Sequence, residues 1–130
     1  MELIKFTEKN SNYDALIIPF GRELNLTTSV PEEAKEIVNA AVEGGFFKGE
    51  EAEIYKLSML TKGRIQNIVL VGLGNKDEIN NRSSFIAFSK AYSACKKMKA
   101  RIIRVVLDNA KEYIEDYDVV EKICEGTLLA

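Results

Sequence analysis

Three clusters in this sequence carry residue types able to do chemistry. The first is the run Val71-Gly72-Leu73-Gly74-Asn75, between an apolar stretch and a stretch of helical spacing. Glycines at a strand-to-helix turn let backbone N–H groups approach an anion, the geometry that cradles phosphate. Gly72, Gly74 and Asn75 therefore form a candidate phosphate turn. The residues that follow argue for a plainer reading. The third glycine of a Gly-x-Gly-x-x-Gly pattern falls on Asp77, Asp77 and Glu78 would repel a phosphate, and no Lys-Ser or Lys-Thr pair follows. The plainer reading is a tight turn in which glycine supplies a positive φ or close packing. The second cluster is Glu50, Glu51 and Glu53. A hard-metal site needs several carboxylates converging on one point; these three read as a solvated loop entering a strand. The third is Lys96, Lys97, Lys99, Arg101 and Arg104. Duplex nucleic-acid binders gather such basic stripes, but this one ends a helix and runs into a strand. A cationic last turn that complements the helix dipole is the simpler account.

What is missing narrows the chemistry further. The chain has no histidine, which removes Ser-His-Asp and Cys-His nucleophile systems, the commonest zinc ligand and the usual neutral-pH base. Cys95 and Cys124 are its two cysteines, far apart and each on an apolar helical stripe. They read as buried free thiols in a reducing, cytoplasmic setting. The residues thus predict no catalytic side chain, no metal ligand and no cofactor site in this chain.

The elements that must position these clusters follow from patterning. The chain has 130 residues, 46% hydrophobic and 29% charged, with net charge −2. That is one globular domain, neither disordered nor a disulfide scaffold, and its net charge counts against nucleic acid. No uncharged stretch reaches the ~20 residues of a membrane-spanning helix, and Met1 to Lys5 does not read as a secretory signal. Leu3–Phe6 is a short predicted strand. Ala15–Ile18 is a strand covered on both faces, stopped by Pro19 and Gly21. A helix follows, with Ser29 and Glu32 at capping-box spacing, Pro31 in its first turn, an apolar stripe of Ala34, Ile37, Val38 and Ala41, and Gly44-Gly45 as its stop. Phe46–Gly49 is a turn with two aromatics. Ile54–Leu60 alternates, with Tyr55, Leu57 and Met59 on one face. Thr61–Arg64 is a turn, and Ile68–Val71 is the central strand, broken by Gly72–Asn75. The longest helix, about Ser83 to Met98, turns Phe85, Phe88, Tyr92 and Cys95 inward. Ile102–Leu107 is a strand reached by a parallel crossover, Asp108–Asp116 a linker, and Val119–Leu128 a last helix. The result is an α/β fold: a mixed, largely parallel sheet flanked by helices on both faces.

The terminal stripe runs into Leu128, Leu129 and Ala130 without a cap or polar tail. Two leucines in a last turn read either as a short terminal helix docked on the sheet or as a place where a longer protein continues.

Together these features resemble a known family. Asn67-Ile68-Val69-Leu70-Val71-Gly72-Leu73-Gly74 looks like the central strand and turn of the N-terminal domain of cytosolic leucyl aminopeptidases. Phe47-Lys48-Gly49 stands where that domain carries a Phe-Lys-Gly turn, and Glu125-Gly126-Thr127-Leu128-Leu129-Ala130 is similar to its final helix. The order and spacing match along nearly the whole chain.

The resemblance implies a macro-domain-like fold, with residues 1–130 forming a single non-catalytic N-terminal domain. It implies a C-terminal peptidase domain, not in this chain, that holds two divalent metals, zinc or manganese. That domain's signature, Asn-Thr-Asp-Ala-Glu-Gly-Arg-Leu, is nowhere in this sequence, so no catalytic or metal-binding residue carries over. The implied partners are the peptidase domain and neighbouring subunits of a homo-oligomer, a hexamer in the family, with no nucleic acid and no membrane. The implied role is assembly and active-site access, with Leu128 and Leu129 as candidate docking residues. The alternative is a stand-alone macro-type module that binds ADP-ribose or another nucleotide, with Gly72 and Gly74 lining a phosphate turn and Gly44, Gly45 and Gly49 in a second glycine-rich loop.

Overall fold

Two apolar runs, at 15–18 and 68–71, carry no polar face, and a strand of that kind is stable only with cover on both sides. The computed structural model describes residues 5–7, 13–23, 30–61 and 63–106. Its elements are β1 (Lys5–Thr7), β2 (Ala15–Gly21), α1 (Glu32–Glu43), β3 (Ile54–Thr61), β4 (Arg64–Gly74), a 3-10 turn (Lys76–Glu78), α2 (Asn81–Lys97) and β5 (Ile102–Val105). They build one 5-stranded sheet in the order β1-β5-β2-β4-β3. β1, β5, β2 and β4 run parallel, and β3 returns antiparallel on β4. The two apolar runs lie side by side as β2 and β4, with Leu16 opposite Ile68 and Ile18 opposite Leu70.

Alternation along these strands makes two cores. Ala15, Ile17, Val69, Val71, Leu73, Ile103 and Val105 face α2, and bury Ala87, Phe88, Ala91, Tyr92 and Cys95. Leu16, Ile18, Phe20, Ile68 and Leu70 face α1, and bury Ala34, Val38, Ala41 and Phe47. The mixed sheet with helices on both faces is therefore the one expected.

Several boundaries differ from the sequence reading. β2 does not stop at Pro19 but runs to Gly21. Val106 N–H donates to Ile17 O at 2.9 Å, so Ile17 turns its backbone groups towards β5. By alternation Pro19 does too, beyond the last described β5 pairing, where a missing N–H breaks no β2–β4 bond. β4 likewise continues through Gly72 to Gly74. β1 covers Lys5–Thr7, and β5 ends at Val105. The turn predicted at Thr61–Arg64 is tighter, because both end residues pair in the β3–β4 ladder. Ser29, the Asp108–Asp116 linker, the Val119–Leu128 helix, Cys124, Leu128 and Leu129 lie outside the described residues.

Both helix stops are explicit. α1 has Pro31 at its N-cap without a side-chain cap, Pro31 O accepting from Ala34 N–H at 3.0 Å. At its other end Gly45 takes φ +75°. That lets Gly45 N–H reach Val42 O (3.2 Å) and Phe46 N–H reach Ala41 O (3.0 Å), a Schellman closure. α2 starts two residues before the predicted Ser83, with a reciprocal capping box between Asn80 and Ser83. It ends by the same closure with a lysine in the glycine role: Lys99 has φ +63°, and Ala100 N–H donates to Cys95 O at 3.1 Å.

Phe85 was expected inward and is 42% exposed, as is Ile86. α2 packs mainly on β4 and buries Ala87, Phe88 and Ala91 with Val69, Val71 and Leu73, which leaves Phe85 in the groove beside Ile54 and Lys56 of the edge strand β3.

The adjacent aromatics at 46 and 47 separate by environment. Phe47 is fully buried with its ring centre 5.7 Å from that of Phe20, whereas Phe46 is 64% exposed. Phe47→Ala is expected to lower unfolding free energy by about 3–5 kcal/mol, and Phe46→Ala by less than about 1 kcal/mol, in urea titrations.

Candidate functional site

The glycine run lies at the carboxyl end of β4, and the segment 49–53 crosses directly over it. Gly72 N–H donates to Glu53 O (2.8 Å), Ala52 N–H to Gly72 O (2.9 Å), and Gly74 N–H to Gly49 O (3.0 Å). The two N–H groups that a phosphate would need are thus already spent on backbone carbonyls. A side chain at Gly72 would overlap the carbonyl oxygen of Glu50. Close backbone approach is what this glycine provides. Asn75 turns the other way: its side-chain oxygen accepts from Asp77 N–H at 3.3 Å and caps the 3-10 turn. Gly44 and Gly45 close α1, and Gly49 belongs to the crossing segment.

The acidic cluster holds that segment in place. Glu53 accepts from Lys48 N–H (3.1 and 3.3 Å) and from Glu50 N–H (3.1 Å). Glu50 and Glu51 point to solvent. Among the described residues, no group of three or more His, Cys, Asp or Glu side chains is placed to hold a metal ion. The two divalent metals that the resemblance implies for a peptidase therefore do not fit the acids described here.

The basic cluster, contiguous in sequence, is divided in space. Lys96 and Lys97 sit in the last turn of α2, Lys99 closes that helix, and Arg101 is exposed. Arg104 is 8% exposed, with its guanidinium 5.9 Å from the centre of the Tyr13 ring. Strand alternation puts Arg104 on the α1 face, away from the lysines of α2. Burial pushes the Tyr13 hydroxyl pKa up, partly opposed by the charge of Arg104.

Cys95 is buried and free. Burial raises its thiol from the ordinary value near 9.0 to about 12.

One surface was not read from the sequence. Between α2 and β3 lies an open groove of about 530 Å³, lined by Ile54, Phe85, Ile86 and Ala94 and rimmed by Lys56, Lys90 and Lys97. Further along the hairpin, Leu60 (74% exposed) pairs with Ile65 (70% exposed). Exposure of five large apolar side chains, Phe46 included, is the signal that only the folded chain provides. No helix among the described residues is long and apolar enough to cross a membrane.

Gly72→Ala is expected to destabilise the fold by about 3 kcal/mol or more in urea titrations, since the added carbon meets backbone that has no room to move. The Cys95 thiol stays protonated in the folded chain through the range where the unfolded chain ionises. Stability should thus be insensitive to this group below about pH 9 and fall from about pH 9 to about 12. The difference between wild type and Cys95→Ala in unfolding free energy across that range isolates the effect.

Residues 17–130 match the family model of the cytosol aminopeptidase family, N-terminal domain. A probable cytosol aminopeptidase of Clostridium perfringens is 32% identical over 122 residues, covering 93% of this chain and 24% of the relative. One from Chlamydia caviae is 28% identical over 115 residues, covering 84% of this chain and 23% of the relative. The chain thus spans about a quarter of the length of these relatives. Among solved structures, the macrodomain of Mycobacterium tuberculosis DarG superposes with TM-score 0.73 at 8% identity, over 99% of this chain and 91% of that one. At that identity the likeness speaks for the fold, which is macro-domain-like as expected. With a helix-covered β4, a glycine strand end closed by its own backbone and a family match along most of its length, the chain belongs to the cytosol aminopeptidase family as its N-terminal domain.

Proposed function

We propose that this chain is the non-catalytic N-terminal domain of a metal-dependent leucyl aminopeptidase, an enzyme that removes N-terminal amino acids from peptides. Its work is assembly and control of access to the active site. The observation that carries the reading is the match of residues 17–130 to the family's N-terminal domain, beside a 122-residue alignment that covers 24% of a relative named for aminopeptidase activity. The two divalent metals, zinc or manganese, belong in this reading to the C-terminal peptidase domain. The partners are that domain and the neighbouring subunits of a cytoplasmic homo-oligomer, a hexamer by resemblance; nucleic acid and membrane have no part. The means is packing: the exposed apolar residues Phe46, Leu60, Ile65, Phe85 and Ile86 offer surface for a neighbour to cover.

The purified chain should hydrolyse no leucine amide with added manganese or zinc; turnover above a buffer blank refutes the reading. Calorimetry with ADP-ribose should give no binding heat, because the Gly72 and Gly74 N–H groups are engaged. Micromolar binding would instead favour a nucleotide module.

A further inference from the structure

β3 is an edge strand of 8 residues, and its register with β4 runs unbroken from Ile54 opposite Val71 to Thr61 opposite Arg64. Among the described residues it pairs with β4 alone. Long regular edges are usually blunted by proline, a bulge or inward charge, because their free backbone groups recruit another strand. This edge has neither proline nor bulge, and its one charged residue is the exposed Lys56. Gly72 N–H bonds Glu53 O, so Glu53 faces β4; alternation then points the backbone groups of Ile54, Lys56, Ser58 and Leu60 away from β4, to a side that no described strand occupies. The same strand carries an exposed apolar knob, Leu60, at one end and the lysine-rimmed apolar groove beside Ile54 at the other.

We infer that the β3 edge pairs antiparallel with the β3 edge of a second copy, about a two-fold axis at Leu57 normal to the sheet. This deepens, and rests on, the assembly role proposed above. In that register Ile54 meets Leu60 of the second copy, Tyr55 meets Met59, Leu57 meets Leu57 and Lys56 meets Ser58. Every pair is apolar with apolar or lysine with serine, and no two lysines stand directly opposite. Knob enters groove twice, as a self-complementary interface requires. The charges agree: the two-fold carries Arg64 at one hairpin tip towards exposed Glu50 and Glu51 of the other copy. The facing residues are those whose backbone groups already point outward, so the added ladder breaks no bond of the existing one.

Sedimentation of the 130-residue chain across a concentration series tests this. Wild type is expected to show a monomer–dimer equilibrium. Leu60→Lys sends a cation among Lys56, Lys90 and Lys97 of the second copy, and should weaken dimerisation by about tenfold or more; Leu60→Met should retain the dimer. Position 60 is solvent-exposed, so circular dichroism should find both variants folded. Leu57→Cys should give a disulfide-linked dimer on mild oxidation, since non-hydrogen-bonded antiparallel partners sit about 4.5 Å apart at Cα. A chain that stays monomeric at every soluble concentration overturns the proposal, as does a dimer indifferent to Leu60→Lys or one that Leu57→Cys cannot cross-link. Burial of this edge only against a peptidase domain in a longer chain would also overturn it. None of these outcomes touches the peptidase assay above.

Discussion

One place in this molecule permits no side chain. At Gly72 the backbone of β4 lies against the backbone of residues 49–53, and the hydrogen bonds at Gly72 and Gly74 bind the two segments together. From there β3 begins, so the approach sets where the edge strand starts and with it the register of the hairpin. It also seats Phe47, two residues before Gly49, in the α1-side core against Phe20. Glu53 tightens the same loop from within by gathering the N–H groups of Lys48 and Glu50. A feature that looks like a ligand cradle in one dimension is, in three, a seam between two stretches of the same chain.

The sheet divides what the sequence runs together. Because successive side chains alternate, β2 and β4 each contribute to two cores with little in common. The α2 side is built from alanines, Phe88, Tyr92 and the Cys95 thiol, and lets the helix sit close. The α1 side holds larger groups, Phe20, Phe47 and Tyr13, with Arg104 tucked against Tyr13. Asp14 fastens the start of β2 to β5 by accepting from Arg101 N–H (3.0 Å) and Ile102 N–H (3.2 Å).

What could be read in advance was what depends on near neighbours. The central strand at 68–71, the α1 stripe, the alternation of Tyr55, Leu57 and Met59, and the Gly44-Gly45 stop all follow from local spacing, and the structure keeps them. The misreadings share a cause: each was decided by a distant residue. Gly72 reads as a break until the Glu50 carbonyl arrives from the preceding loop. Pro19 reads as a stop until β2 is seen to pair with β4 through it, Pro19 standing opposite Val71. Phe85 satisfies a helical period, but a period cannot say which strand lies beneath the helix. Arg104 joins its basic neighbours in sequence and leaves them through strand alternation. The groove between α2 and β3 needs both elements in place, so no local pattern announces it.

The strand order carries a consequence for how the chain acquires its shape. β3 and β4 are joined by a two-residue turn, with Thr61 opposite Arg64, and can zip up on their own. β1, the first of the described strands, pairs among the described residues with β5 alone, Lys5 standing opposite Ile102. Closing so wide a loop costs entropy before any contact repays it. On the ribosome, β1 can meet β5 only once nearly the whole of the described chain has emerged.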